Sequence, residues 1–114
     1  MAPPSPPVDH VFMALSDATR RGILARLAEG EARVTEIAAP LAMSLNGASK
    51  HIKVLERAGL IRRRVRGRDH FISVAPGGLD GAAAWIDETR RFWQGRLDNL
   101  AALFADSATG SEQS

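Results

Sequence analysis

Residues 35–74 read TEIAAPLAMSLNGASKHIKVLERAGLIRRRVRGRDHFISV, and no other stretch of the chain restricts the fold as tightly. Thr35 is a cap for a short helix with Ile37, Ala38 and Leu41 turned inward. Pro40 falls inside that pattern, lacks an N–H and bends or shortens the helix. A tight turn follows at Met43. Ser44 caps a second helix over 45–58, which Gly59 ends in the left-handed conformation that glycine adopts cheaply. Leu45, Ala48, Ile52 and Leu55 recur at helical spacing and form its inward face. At about 100° per residue, Asn46, Gly47, Lys50, Lys53 and Arg57 point away from that face, with Ser49 and His51 on its borders. Two alternating strands, 61–66 and 69–74, then flank Gly67-Arg68 as a hairpin. Ile61 and Val65 give the hairpin an apolar face; Arg62, Arg64 and Arg66 give it a cationic one.

The flanking segments complete a small, mainly helical domain. Residues 1–7 hold four of the chain's six prolines and are expected to form a disordered arm. Val8, Val11, Phe12 and Leu15 have the spacing of an amphipathic helix. Ser16-Asp17 offers a cap for the next helix, which turns Ile23, Leu24 and Leu27 to one side and ends before Gly30. Residues 32–34 are placed to pair as a third strand with the hairpin. After Pro76-Gly77-Gly78, a long helix is expected from Leu79 to Phe104, about 40 Å at 1.5 Å per residue. The domain is thus expected to cover 8–104, with a disordered tail over 105–114.

Charge is concentrated on one segment. Residues 44–74 carry eight Lys/Arg against Glu56 and Asp69, a net of +6, whereas the chain as a whole carries +2. A face that binds a polyanion needs such a distribution. Helix, turn, capped helix and basic hairpin are the parts of a winged helix-turn-helix. That fold lays its second helix in a DNA groove with the wing beside it. Asn46 is suited to adenine and Lys50 to guanine; Ser49 suits base or phosphate. Ser44 opens the helix, and Gly47 lets the backbone approach closely. Lys53, Arg57, Arg64, Arg66 and Arg68 suit phosphates, which set position and affinity more than sequence. His51 and His70 are further candidates on the same surface.

The last helix carries two apolar stripes. Leu79, Ala82, Ile86, Trp93, Leu97, Leu100 and Phe104 make one; Trp85, Phe92 and Leu103 make the other. One stripe is expected to cover its own domain and the other to need a partner, most simply a second copy. The interface candidates are Val8, Phe12, Trp85, Ile86, Phe92, Trp93, Leu97 and Leu100.

The order FMALSDATRRGILARL, VTEIA and MSLNGASKHIKVLERAGLIRRRVRGRDHFISV resembles the ArsR/SmtB family of bacterial winged-helix repressors. The resemblance spans about residues 8–104. It implies a homodimer held by the first and last helices that binds an inverted-repeat DNA operator and blocks transcription. It also implies that 44–57 is the recognition helix and 62–71 the wing. The Phe92-Trp93 pair resembles the metal-independent branch. Many relatives sense metals through cysteines in the first helix of the motif, but VTEIAAPLA offers only Glu36. Others use carboxylates with histidine on the last helix, where this chain has Asp80, Asp87, Glu88 and Asp98 without histidine. Tetrahedral zinc and thiolate-preferring metals have no adequate ligand set there.

Cysteine is absent, which excludes disulfides and thiol chemistry. No nucleophile elbow, phosphate-cradling glycine loop or HExxH appears, so no enzyme and no cofactor are expected. No secretory leader and no membrane-length apolar run are present, which makes the cytoplasm the expected compartment. His10 beside Asp9 is a weak metal pair and more simply a surface feature. Two rival readings share the fold. One is a sensor with an effector pocket at the dimer interface near Trp85, Phe92 and Trp93. The other is a winged-helix module that binds protein only.

Overall fold

The computed structural model describes residues 6–113, with side chains from 8 to 106. In chain order the elements are α1 (Pro6–Leu15), α2 (Ala18–Ala28), β1 (Ala32–Arg33), α3 (Val34–Ala38), α4 (Leu45–Arg57), β2 (Ile61–Arg66), β3 (Asp69–Val74) and α5 (Asp80–Gln113). A 3-10 turn over Ala39–Leu41 follows α3. The chain divides into two compact units, residues 1–82 and 83–114. The arm expected over 1–7 lies largely outside the described residues. Its last two prolines open α1 instead, where a missing N–H costs nothing.

Asp17 caps α2 as its position suggested. Its Oδ1 accepts from the backbone N–H of Thr19 at 2.8 Å and of Arg20 at 3.2 Å. Helix α3 starts two residues earlier than a Thr35 cap requires, because β1 runs straight into it. The Glu36 carboxylate does the capping, accepting from the Arg33 backbone N–H and from Arg33 Nε, each at 3.1 Å. These contacts, led by the backbone one, hold the Glu36 carboxyl below its ordinary range. Pro40 shortens α3 to five residues and sits in the 3-10 turn. The turn into α4 passes through Ala42 at φ 51°, a left-handed conformation unusual for a residue with a side chain.

The sheet is antiparallel with order β1-β3-β2. Residues 32–33 do pair with the hairpin, Ala32 opposite Ile72 and Arg33 opposite Phe71. Val11 and Ala14 of α1, Ile23 and Leu27 of α2, Ile37 of α3, Ile52 and Leu55 of α4, and Ile72 of β3 are buried. Each large one contributes about 1.5–3 kcal/mol relative to exposure. Val8, Phe12 and Leu15 are only half-buried; Val11 with Ala14 is the inward pair of α1.

Two expected core positions are exposed. Leu45 is 53% exposed and Val65 56%. Both obey the right periodicity, but periodicity sets only direction. Leu45 lies in the first turn of α4. Val65 pairs with His70 one rung from the tip of the hairpin, where no helix covers the sheet.

Gly59, at φ 77°, turns the chain out of α4. Gly78 is constrained differently: a Cβ there would stand 2.5 Å from the Gly59 carbonyl oxygen and 3.1 Å from Leu60 Cα. The turn before α5 is thus pressed against the turn after α4, and Ala75 N–H donates to the Leu60 carbonyl at 3.0 Å. Helix α5 begins at Asp80, with Leu79 outside it, and continues past Phe104 to Gln113.

Candidate nucleic-acid interface

Helix α4 is fixed at its start by Ser44, whose Oγ accepts from Gly47 N–H at 3.0 Å. Ser44 therefore serves the helix before it serves any ligand. Ala48, Ile52 and Leu55 pin one face to the core. The opposite face presents Asn46, Lys50, Lys53 and Arg57, all exposed. None of these four side chains bonds another described residue. Ser49 lies half-buried on the border toward the wing, His51 on the border toward α1 and α2.

The wing arginines separate into two groups. Arg63 donates to Glu56 on α4 through Nε at 3.3 Å and Nη2 at 3.4 Å, and its Nη1 lies 3.0 Å from His70 Nδ1. Arg64 donates to Glu31 at 2.7 Å and stacks over Phe71, 5.0 Å from the ring centre. Arg62, Arg66 and Arg68 carry no ion pair with any described residue. An open crevice of about 350 Å³ separates the start of α4 from the wing, with Leu45 and Ser49 on one wall and Arg63, Arg68 and His70 on the other. Leu45 and Arg63 were not expected in this role. The reach of Arg63 to Glu56 is a contact seven residues apart across a turn, which helical or strand periodicity does not reveal.

His51 is held from behind. Arg20 of α2 donates through Nε to the Ala14 carbonyl at 2.8 Å and through Nη2 to the Met13 carbonyl at 3.0 Å. Its Nη1 lies 3.3 Å from His51 Nδ1. The sequence held one signal of this. An arginine in the first turn of a helix faces the positive end of its dipole and needs a reason to be there. The reason is the end of α1, whose last carbonyls lack helical partners and favour a cation.

Within residues 83–114, α5 presents a row of exposed apolar side chains. Trp93 is 58% exposed, Leu97 56% and Phe104 69%, with Trp85, Ile86, Phe92 and Leu100 also exposed. Phe92 and Trp93 meet edge to face at 5.7 Å, and Arg96 lies over the Phe92 ring at 4.8 Å. Of the other interface candidates, Val8 and Phe12 are half-buried on α1. Among the described residues no group of three or more His, Asp or Glu side chains is arranged to hold a metal ion. No helix among them is long and apolar enough to cross a membrane.

Residues 15–64 match a helix-turn-helix domain family. Over 95 residues the chain is 39% identical to the HTH-type transcriptional regulator Rv2034 of Mycobacterium tuberculosis, covering 83% of this chain and 86% of the relative. The crystal structure of an ArsR family transcriptional regulator superposes with a TM-score of 0.73 at 36% identity, covering 77% of this chain and 97% of the other. A homodimeric winged helix-turn-helix DNA-binding domain from Mycobacterium bovis, a possible ArsR-family regulator, gives a TM-score of 0.60 at 28% identity, covering 75% and 82% of the two chains. A core that fixes α4 by its buried face, a basic wing beside it and relatives matched over most of their length agree: this chain belongs to the ArsR family of winged helix-turn-helix transcriptional regulators.

Proposed function

We propose that this regulator is a homodimeric, sequence-specific repressor that binds an inverted-repeat operator and acts by covering promoter DNA. The row Asn46, Lys50, Lys53 and Arg57 carries the reading: four exposed polar side chains, free of other described residues, on one face of a helix whose opposite face is buried. Asn and Lys at the centre of such a face suit base edges, and Lys53 and Arg57 suit phosphates. Arg66 and Arg68 at the hairpin tip add cations free to meet the backbone. The apolar row of α5 and the homodimeric state of the M. bovis relative support a second copy. Two copies related by a two-fold axis read two half-sites about 34–36 Å apart, which is why the operator is an inverted repeat.

The test is selection of bound duplexes from a random-sequence library, followed by footprinting and light scattering of the complex. The expected result is an inverted repeat covered by two copies, and loss of transcription when it overlaps a promoter. Recovery of no preferred sequence, or of a single half-site covered by one copy, overturns the reading.

A further inference from the structure

The Arg20–His51 contact fixes more than the position of a side chain. A guanidinium has five N–H donors and no acceptor. A hydrogen bond between Arg20 Nη1 and His51 Nδ1 therefore requires Nδ1 to be the acceptor, which leaves the imidazole proton on Nε2. Nε2 has no hydrogen-bond partner among the described residues, and no buried side-chain nitrogen or oxygen there lacks one, so Nε2 is not sealed from solvent. Arg20 is itself rigidly held, with two of its donors on the Ala14 and Met13 carbonyls at the end of α1.

The place of His51 decides what that N–H can meet. Asn46, Lys50, Lys53 and Arg57 occupy the centre of the exposed face of α4, about 100° or more around the helix from His51. Groups at the centre of a helix lying in the major groove reach base edges; groups on its borders reach the phosphate walls. Side chains on a helix lean toward its N-terminus, so the imidazole leans over the turn that holds Gly47, four residues earlier.

We infer that Arg20 is a positioning residue which locks His51 in the tautomer with its proton on Nε2, and that this N–H donates to a DNA backbone phosphate. The inference rests on the DNA-binding reading above, and it assigns the otherwise ambiguous His51 a definite donor. It also links α1 to the DNA-facing surface, because the same guanidinium grips the carbonyl end of α1.

Two measurements test it separately. The first needs no DNA. Nitrogen-15 NMR of the full chain at a pH well above 7, where imidazoles are neutral, should show His51 protonated at Nε2 alone. In Arg20→Lys, which keeps the charge but loses the planar fork, the two tautomers should mix. A parent protein with the proton on Nδ1, or an Arg20→Lys spectrum unchanged from the parent, overturns the lock. The second uses a duplex enriched by the parent from a random library. His51→Ala should weaken binding about tenfold, the order expected for a hydrogen bond to a charged acceptor. His51→Gln, whose terminal amide N–H lies near the position of Nε2, should recover part of it. Arg20→Lys should weaken binding in the parent but add nothing in His51→Ala. An equal loss in both backgrounds makes Arg20 a purely structural residue and overturns the inference. Failure of the parent to enrich any duplex defeats the DNA-binding reading and with it the phosphate contact, while the NMR result still decides the tautomer.

Discussion

Arg63 on the wing and Glu56 on the recognition helix are joined by two hydrogen bonds, at 3.3 and 3.4 Å. The pair ties β2 to α4, so the basic hairpin and the helix proposed to read DNA are one mechanical piece. With side chains 22% and 38% exposed, the pair contributes less than about 1 kcal/mol to folding. Its larger effect is on charge, because Glu56 neutralises an arginine of the basic wing. Glu56→Gln should leave the melting temperature nearly unchanged but strengthen binding to all DNA. The slope of log K against log salt should steepen by up to about 0.9 as Arg63 becomes free for a phosphate. An unchanged slope means that Arg63 already contacts phosphate in the parent.

Asn46→Ala and Lys50→Ala should each cost about 1–3 kcal/mol of operator affinity, the value of a good bidentate base contact. Both side chains are exposed and unbonded to other described residues, so melting should not change. Variants that melt early yet bind normally once folded would show the helix to be facing the other way.

Among the wing arginines, Arg66 and Arg68 pair with no described residue, while Arg64 is held by Glu31 and Phe71. Arg66→Ala with Arg68→Ala should weaken binding on every sequence alike and flatten the salt slope by about 0.9 per lost phosphate contact. Arg64→Ala should flatten it less. Salt titration of the parent and the two variants on one duplex checks the ranking; a larger effect from Arg64 reverses it.

Leu97 is 56% exposed in the single chain, in the apolar row of α5. If that row is the seam between two copies, Leu97→Glu buries an unpaired carboxylate there, at a cost of several kcal/mol (order of magnitude) or forced protonation. The variant should be monomeric by light scattering and lose operator binding while keeping weak, salt-sensitive DNA affinity. A dimeric Leu97→Glu moves the interface elsewhere.

The Asp17 cap has an acid signature. The hydrogen bond from the Arg20 backbone N–H, partly offset by burial and reinforced by the one from Thr19, holds the Asp17 carboxyl below its ordinary range. A depressed folded-state value means that the stabilisation is fully present above the unfolded value, about 3.9 for aspartate. It is lost as pH falls through the lower, folded value. Asn caps a helix about as well as Asp and does not titrate. Asp17→Asn should therefore match the parent in melting at neutral pH and lose less stability as pH falls below the unfolded aspartate value. Identical acid profiles would remove Asp17 from the acid response.

Much of the architecture follows from the chain alone. The caps Asp17 and Ser44, the stop at Gly59, the Gly67-Arg68 turn and the inward set Ala48, Ile52 and Leu55 all follow from local rules of helix ends and periodicity. Pro40 announced the short α3 because a missing N–H acts on its own helix. Such features are legible because cause and effect lie within a few residues of each other. A Thr35 cap for α3 does not hold because the helix start is set by a strand that pairs with residues far along the chain, Arg33 with Phe71 and Ala32 with Ile72.

What the sequence determined by itself, then, is which elements form, which way each α4 side chain points and where positive charge gathers. Tertiary structure alone decided which of those charges are free. Glu56 and Glu31 engage Arg63 and Arg64 through contacts that span seven and thirty-three positions, and Arg20 engages His51 across thirty-one. It also decided that Leu45 and Val65, correctly directed, stay uncovered, because burial needs a neighbour to supply the other surface. Periodicity is a property of one element, whereas ion pairs, tautomers and burial depend on two elements meeting, and no local pattern encodes where a second element will stand.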